Sequence, residues 1–155
     1  MSFTPEQHDQ VVRYYARTRM PFEGQEDWPK NYITLTNETE KKFAIPFEGG
    51  KHYPDVVVID ENNDTHEIVE VELDVQESLA AKWKACSAAA DDRNPLHIRH
   101  FFVTVPPGQE KAAKAILEQN NISYAGIRSF VFDASGSLRI EAYETLNCDR
   151  DHRDT

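Results

Sequence analysis

At 155 residues the chain has the size of one domain, and its 39% hydrophobic content against 28% charged residues is enough to build a core of its own. A net charge of −10 opposes indiscriminate nucleic-acid binding, which draws its affinity from phosphate neutralisation, but it does not exclude an enzyme whose acids hold a cation. No apolar run approaches the ~18 residues of a membrane span, the first residues lack a secretory pattern, and Cys86 and Cys148 have no ligand spacing; a cytoplasmic protein with free thiols and no membrane partner is expected.

The first helix is announced by Thr4 as cap, Pro5 at the first helical position and Gln7 completing a capping box. Val11, Val12 and Tyr15 then mark an apolar stripe that runs to about Met20. Residues 21–33 read as a loop pinned by Trp28 and Tyr32. Residues 41–47 read as a first strand, with Pro46 placing it at an edge or bend. After Gly49 and Gly50 a second strand is expected over 53–60, a turn over "ENND", and a third strand over 66–73.

A helix follows, with Asp74 and Glu77 in capping-box spacing and Leu79, Trp83, Cys86 and Ala90 on its apolar face. Pro95 closes it, and Asp91, Asp92 and Arg93 read as its end. "HIRHFFVTV" is a buried strand, "PPGQEKAAKAILEQNN" another helix, and residues 127–143 a hairpin turned at Ala134 to Gly136. Residues 147–155 read as a disordered tail behind a single domain over 1–146. Strands interleaved with helices predict an α/β sandwich, a mixed central sheet flanked by helices.

The unusual stretch is 60–74, which holds seven acids and no lysine or arginine. Strand alternation puts Glu70 and Glu72 on one side and Val69, Val71 and Leu73 on the other. A simple hairpin sets Asp55 opposite Glu70, with Glu72 on the diagonal. Three carboxylates in one place repel each other unless partnered, and a hard cation with a preference for oxygen ligands resolves that conflict. A polar sheet face that merely meets water is the alternative. Asp74 is assigned to helix capping.

Pro54-Asp55, then Glu70-x-Glu72 on the next strand, then a helix, resembles the PD-(D/E)XK nuclease superfamily, in an ExE variant of its motif. The resemblance spans roughly residues 4–104 and includes the order helix, three strands, helix, strand, the αβββαβ core of the restriction-endonuclease-like fold. It implies Mg²⁺ or Mn²⁺ held by Asp55 and Glu70, with Glu72 as base or further ligand, and phosphodiester hydrolysis of nucleic acid, DNA before RNA, in a chain that pairs as a homodimer. Glutamate stands at position 72 where the family places its lysine. Lys82, flanking the buried face of the following helix, is the first candidate to replace it, ahead of Lys84 and Lys51. A catalytically inactive nuclease-fold module that binds nucleic acid or a protein is the alternative implied by that departure. His97 and His100 point to opposite faces of a strand, and Cys86 and Ser87 read as helix packing without a histidine partner.

Overall fold

In a computed structural model that describes residues 2–20 and 31–146, helix α1 (Pro5–Arg19) begins with the full capping box: Gln7 N–H donates to Thr4 Oγ1 and Thr4 N–H to Gln7 Oε1. The two bonds satisfy backbone donors that the first helical turn leaves unpaired. Val11, Val12 and Tyr15 form its buried stripe. Trp28 and residues 147–155 lie outside the described residues, whereas Tyr32 stacks on the His66 ring with centroids 4.1 Å apart.

The central sheet has six strands in the order β1 (Ile33–Thr36), β4 (Val56–Ile59), β5 (Thr65–Val71), β6 (Phe101–Val105), β7 (Gly126–Phe132) and β8 (Leu138–Thr145). β4 is antiparallel to both of its neighbours, β1 and β5; β5, β6 and β7 run parallel, and β8 returns antiparallel, so the sheet is mixed. α1 covers one face, packing Val11, Val12 and Tyr15 against Val56, Val58, Val69 and Val71. The other face, with Val57, Ile68, Phe101 and Val103, is covered by α2 (Ala80–Ala89) and α3 (Glu110–Gln119) through Trp83, Cys86, Ala113 and Leu117. Helix on both faces of a mixed sheet is the α/β layering expected from the alternation of strands and helices. Lys114 of α3 and Tyr124 both reach Glu144 on β8 and tie the last helix to the edge strand.

Several elements differ from the sequence-based expectation, among them the strand expected over 97–105, which begins only at Phe101. The first core strand is Ile33–Thr36, a segment expected to be loop at its start. Residues 41–47 supply only β2 (Ile45–Phe47), which pairs with β3 (Gly50–His52) as a separate two-stranded hairpin. Pro46 has no N–H to donate, which keeps this segment out of a sheet interior. The expected second strand begins later, at Val56, because Asn37 pulls the approach to it aside: its Nδ2 donates to the carbonyls of Pro54 at 2.6 Å and Phe43 at 3.0 Å.

The helix expected to be capped by Asp74 opens instead with a 3-10 turn over Glu77–Leu79, and Asp74 accepts from Gln76 Nε2 at 2.7 Å. Asp74 is therefore not a helix cap. Val75 N–H turns to Gln109 Oε1 at 2.6 Å, which draws this connection toward the start of α3. Ala90 stands just past the end of α2, not within it, but remains buried.

Candidate functional site

Pairing of β4 with β5 matches Val56 to Val69, which continues to Asp55 against Glu70, the register inferred from the sequence. Near the turn the register slips by one, Ile59 matching Thr65, so a bulge beside His66 absorbs the difference. Asp55 N–H donates to Glu70 Oε2 at 2.9 Å, and Val71 N–H donates to Asp55 Oδ2 at 2.8 Å. These reciprocal bonds lock Asp55 and Glu70 across the strand pair.

Glu70 and Glu72 project toward α2, and neither meets water freely: Glu70 is 1% exposed and Glu72 8%. The wet-face alternative fails on that observation. Buried carboxylates need partners, and α2 brings them. Lys82 Nζ lies 2.9 Å from Glu72 Oε2 and 3.4 Å from Glu70 Oε1, and Trp83 Nε1 donates to Glu72 Oε2 at 2.8 Å. Lys82 and Trp83 sit next to each other in the first turn of the helix, where one side chain flanks the apolar face and the other fills it. Burial pushes the Glu72 carboxyl up, Lys82 opposes that rise, and the neighbouring Glu70 charge adds to it. Burial disfavours the Lys82 cation, but Glu70 and Glu72 outweigh it and hold the ammonium firmly protonated.

Two histidines complete the cluster. His52, at the end of the inserted hairpin, places Nε2 3.0 Å from Glu70 Oε1. His8, in the second turn of α1, places Nε2 3.2 Å from Asp55 Oδ1 and Nδ1 3.0 Å from Asp9. Burial lowers the His8 imidazole, but Asp55 and Asp9 more than compensate and bring it to about 9. Sequence reading missed both histidines. Nothing in their spacing signals the contact, because one arrives from a helix on the far side of the sheet and the other from a hairpin outside it.

The structure thus brings together Asp55, Glu70, Glu72 and Lys82, the residues singled out from the sequence. It does so without gathering the three carboxylates around one point. Among the described residues, the ligand atoms that come within 4.8 Å of one another belong to His52, Glu70 and Cys86. Lys84 is exposed, as is Lys51 on β3, and the lysine set against Glu70 and Glu72 is Lys82. The charge conflict among the acids is resolved by cations and N–H donors of the chain itself.

A second polar cluster occupies the opposite end of β5. The His66 ring, 3% exposed, meets Asp60 Oδ2 at 2.8 Å and Asp91 Oδ2 at 2.6 Å, while His100 Nδ1 meets Asp91 Oδ1 at 2.7 Å. Asp91 is therefore a hub joining α2, β5 and the approach to β6, not simply a helix end. His97 is exposed and shares no part of it. Ser87 packs as expected, its Oγ donating to the Ser123 carbonyl at 2.6 Å. No helix of the described residues is long and apolar enough to cross a membrane. Comparison of the chain with family models, with curated proteins and with solved structures finds no match.

Proposed function

We propose that this chain is a divalent-metal-dependent phosphodiesterase of restriction-endonuclease-like architecture, acting on nucleic acid and on DNA before RNA. The observation that carries the reading is the Lys82 ammonium set against Glu70 and Glu72, on the strand that Asp55 is bonded to. It supplies, from the next helix, the cation that the ExE strand itself lacks. The element order α1, β1, β4, β5, α2, β6, with strands adjacent in sequence order and only the β2–β3 hairpin inserted, supports the same architecture.

Asp55 and Glu70 are tied across the strand pair by backbone N–H bonds to their carboxylates, and oxygen donors of this kind suit a hard ion such as Mg²⁺ or Mn²⁺. When bound, the ion supplies Lewis-acid polarisation of a phosphoryl oxygen and a more acidic water. The remaining work belongs to the chain. Glu72, its carboxyl raised by burial, is suited to accept a proton from water, since a base works best with a pKa nearer the working pH. Lys82 is placed to orient that water and to offset charge developing on the phosphoryl group. Asp55 is held in orientation by Val71 N–H and by His8.

A second reading, a non-catalytic binding module, is favoured by a different observation. Every one of the three acids already has a partner within the chain. Cleavage of single-stranded, duplex and branched DNA with Mg²⁺ or Mn²⁺ separates the two readings. Asp55→Ala is expected to lower the rate by 10²-fold or more while the protein stays folded. Wild-type protein that binds DNA without cutting it supports the module, and cutting that survives Asp55→Ala removes the nuclease assignment.

A further inference from the structure

Cys86 belongs to the same face of α2 as Lys82, one helical turn further on, yet the proposed hydrolysis does not use it. Its Sγ, a His52 ring nitrogen and a Glu70 carboxylate oxygen lie within 4.8 Å of one another. The three ligands arrive from three elements, β3, β5 and α2. Packing alone does not call for an imidazole and a carboxylate beside a buried thiol. Burial pushes the thiol well up, and the nearby Glu70 charge pushes it further. The same negative field that opposes a thiolate attracts a dication, and a dication reverses the balance because a coordinating thiol is deprotonated outright.

We propose that His52, Glu70 and Cys86 form a binding site for a thiophilic divalent cation of the Zn²⁺ class, distinct in chemistry from the oxygen pair Asp55–Glu70 but sharing Glu70 with it. A nitrogen, an oxygen and a sulfur donor suit Zn²⁺ or Co²⁺, whereas Mg²⁺ and Mn²⁺ favour oxygen alone. On binding, the Cys86 S–H bond is lost, its proton passes to solvent, and a sulfur–metal bond takes its place. Three protein ligands leave a fourth position for water. The His52 side chain, 20% exposed, opens the site to solvent on the hairpin side. Lys82, nearer to Glu72 than to Glu70, stays with Glu72. Because Glu70 is shared, a Zn²⁺-class ion excludes Mg²⁺ and switches cleavage off. Only this last consequence rests on the nuclease reading; the binding does not.

Co²⁺ titration of the full chain tests the site, because a thiolate–cobalt bond absorbs in the near ultraviolet. The expected result is one equivalent of Co²⁺, displaced by Zn²⁺, with the band retained in Cys148→Ala and lost in Cys86→Ala. His52→Ala should weaken Co²⁺ binding at least tenfold. Circular dichroism and urea midpoints check that each variant is folded. A folded wild type without the band, or a band that persists in Cys86→Ala, overturns the proposal. Where Mg²⁺-dependent cleavage is measured, Zn²⁺ should inhibit the wild type and spare Cys86→Ala. Cobalt binding in a protein that never cleaves would remove the nuclease reading and leave the metal site standing.

Discussion

The residues that decide this site are a lysine and a glutamate that depend on each other. Lys82 holds Glu70 and Glu72 together at 3.4 Å and 2.9 Å, and Glu72 has Trp83 Nε1 as its other partner. Removing one member of a buried ion pair costs more than the pair contributes, because the charge left behind has lost its partner. Lys82→Met should therefore destabilise the protein by about 3 kcal/mol in urea unfolding at neutral pH. Adding Glu72→Gln to it should recover a substantial part, giving a coupling of about 1 kcal/mol or more in a double-mutant cycle. Strict additivity would mean the lysine and the glutamate act separately. The acids and Lys82 were legible in the sequence, through strand alternation and through Lys82 flanking the apolar residues of its helix. The contacts of His8 and His52 were not, because no local pattern records a contact made across the sheet.

At the scale of elements, two junctions can be probed without touching the site. The first is the Asp91 hub that links α2, β5 and the entry to β6. Burial raises the Asp91 carboxyl, but His100 and His66 overcome that and bring it from 3.8 to about 2. A depressed carboxylate contributes stability that is complete above about 3.8 and disappears as pH falls through about 2. Asp91→Asn should cost about 1–3 kcal/mol near neutral pH, since it removes the carboxylate that His66 and His100 share and leaves the buried His66 ring with Asp60 as its one charged partner in the cluster. The gap between variant and wild type should close as the pH of the urea titration approaches about 2. A gap independent of pH would assign the loss to packing. The second junction is Gly126 at the start of β7. A Cβ there would lie 3.0 Å from the Glu144 carbonyl, 3.0 Å from Phe102 and 2.6 Å from the Arg128 guanidinium. Gly126→Ala should lower stability by about 1–3 kcal/mol through overpacking, read as a shifted urea midpoint.

These elements also show where sequence reading works and where it stops. α1 was legible to its cap because Thr4, Pro5 and Gln7 act on their own neighbours. The Asp55–Glu70 register was legible because alternation fixes it, although a bulge shifts the turn by one residue. The first core strand was not legible. Ile33–Thr36 is short and only partly buried, so its pattern is weak, while the apolar run at 41–47 is stronger but leads to a hairpin outside the sheet. Asp74 and Glu77 have capping-box spacing, yet Val75 is drawn to Gln109, a contact from 34 residues away that overrides the local signal.

For the whole molecule, the sheet ends in two edge strands, β1 and β8. β8 spans Leu138–Thr145 and carries the exposed pair Arg139–Glu141 at 2.6 Å, with Tyr143 42% exposed beside it. Charges on a long edge discourage pairing with a second sheet. Replacing Arg139 and Glu141 together by valine should produce concentration-dependent association, visible by light scattering. A variant that associates no more than the wild type would mean the edge is protected by something other than these charges. The α/β layering itself was legible from the order of strands and helices. The insertion of a hairpin between the first two strands of the sheet was not.

β5, which carries Glu70 and leads directly into Glu72, lies inside the sheet with β4 bonded on one side and β6 on the other. Glu72 N–H continues the ladder to the Thr104 carbonyl at 2.9 Å. Backbone amides so placed exchange their hydrogens with solvent only when the sheet itself opens. The acidic residues are therefore mounted on one of the slowest-opening parts of the chain. A bound ion or substrate can turn their side chains or displace the hairpin that carries His52, but it cannot slide the strand, so deuterium uptake at Glu70, Val71 and Glu72 should remain low with or without ligand.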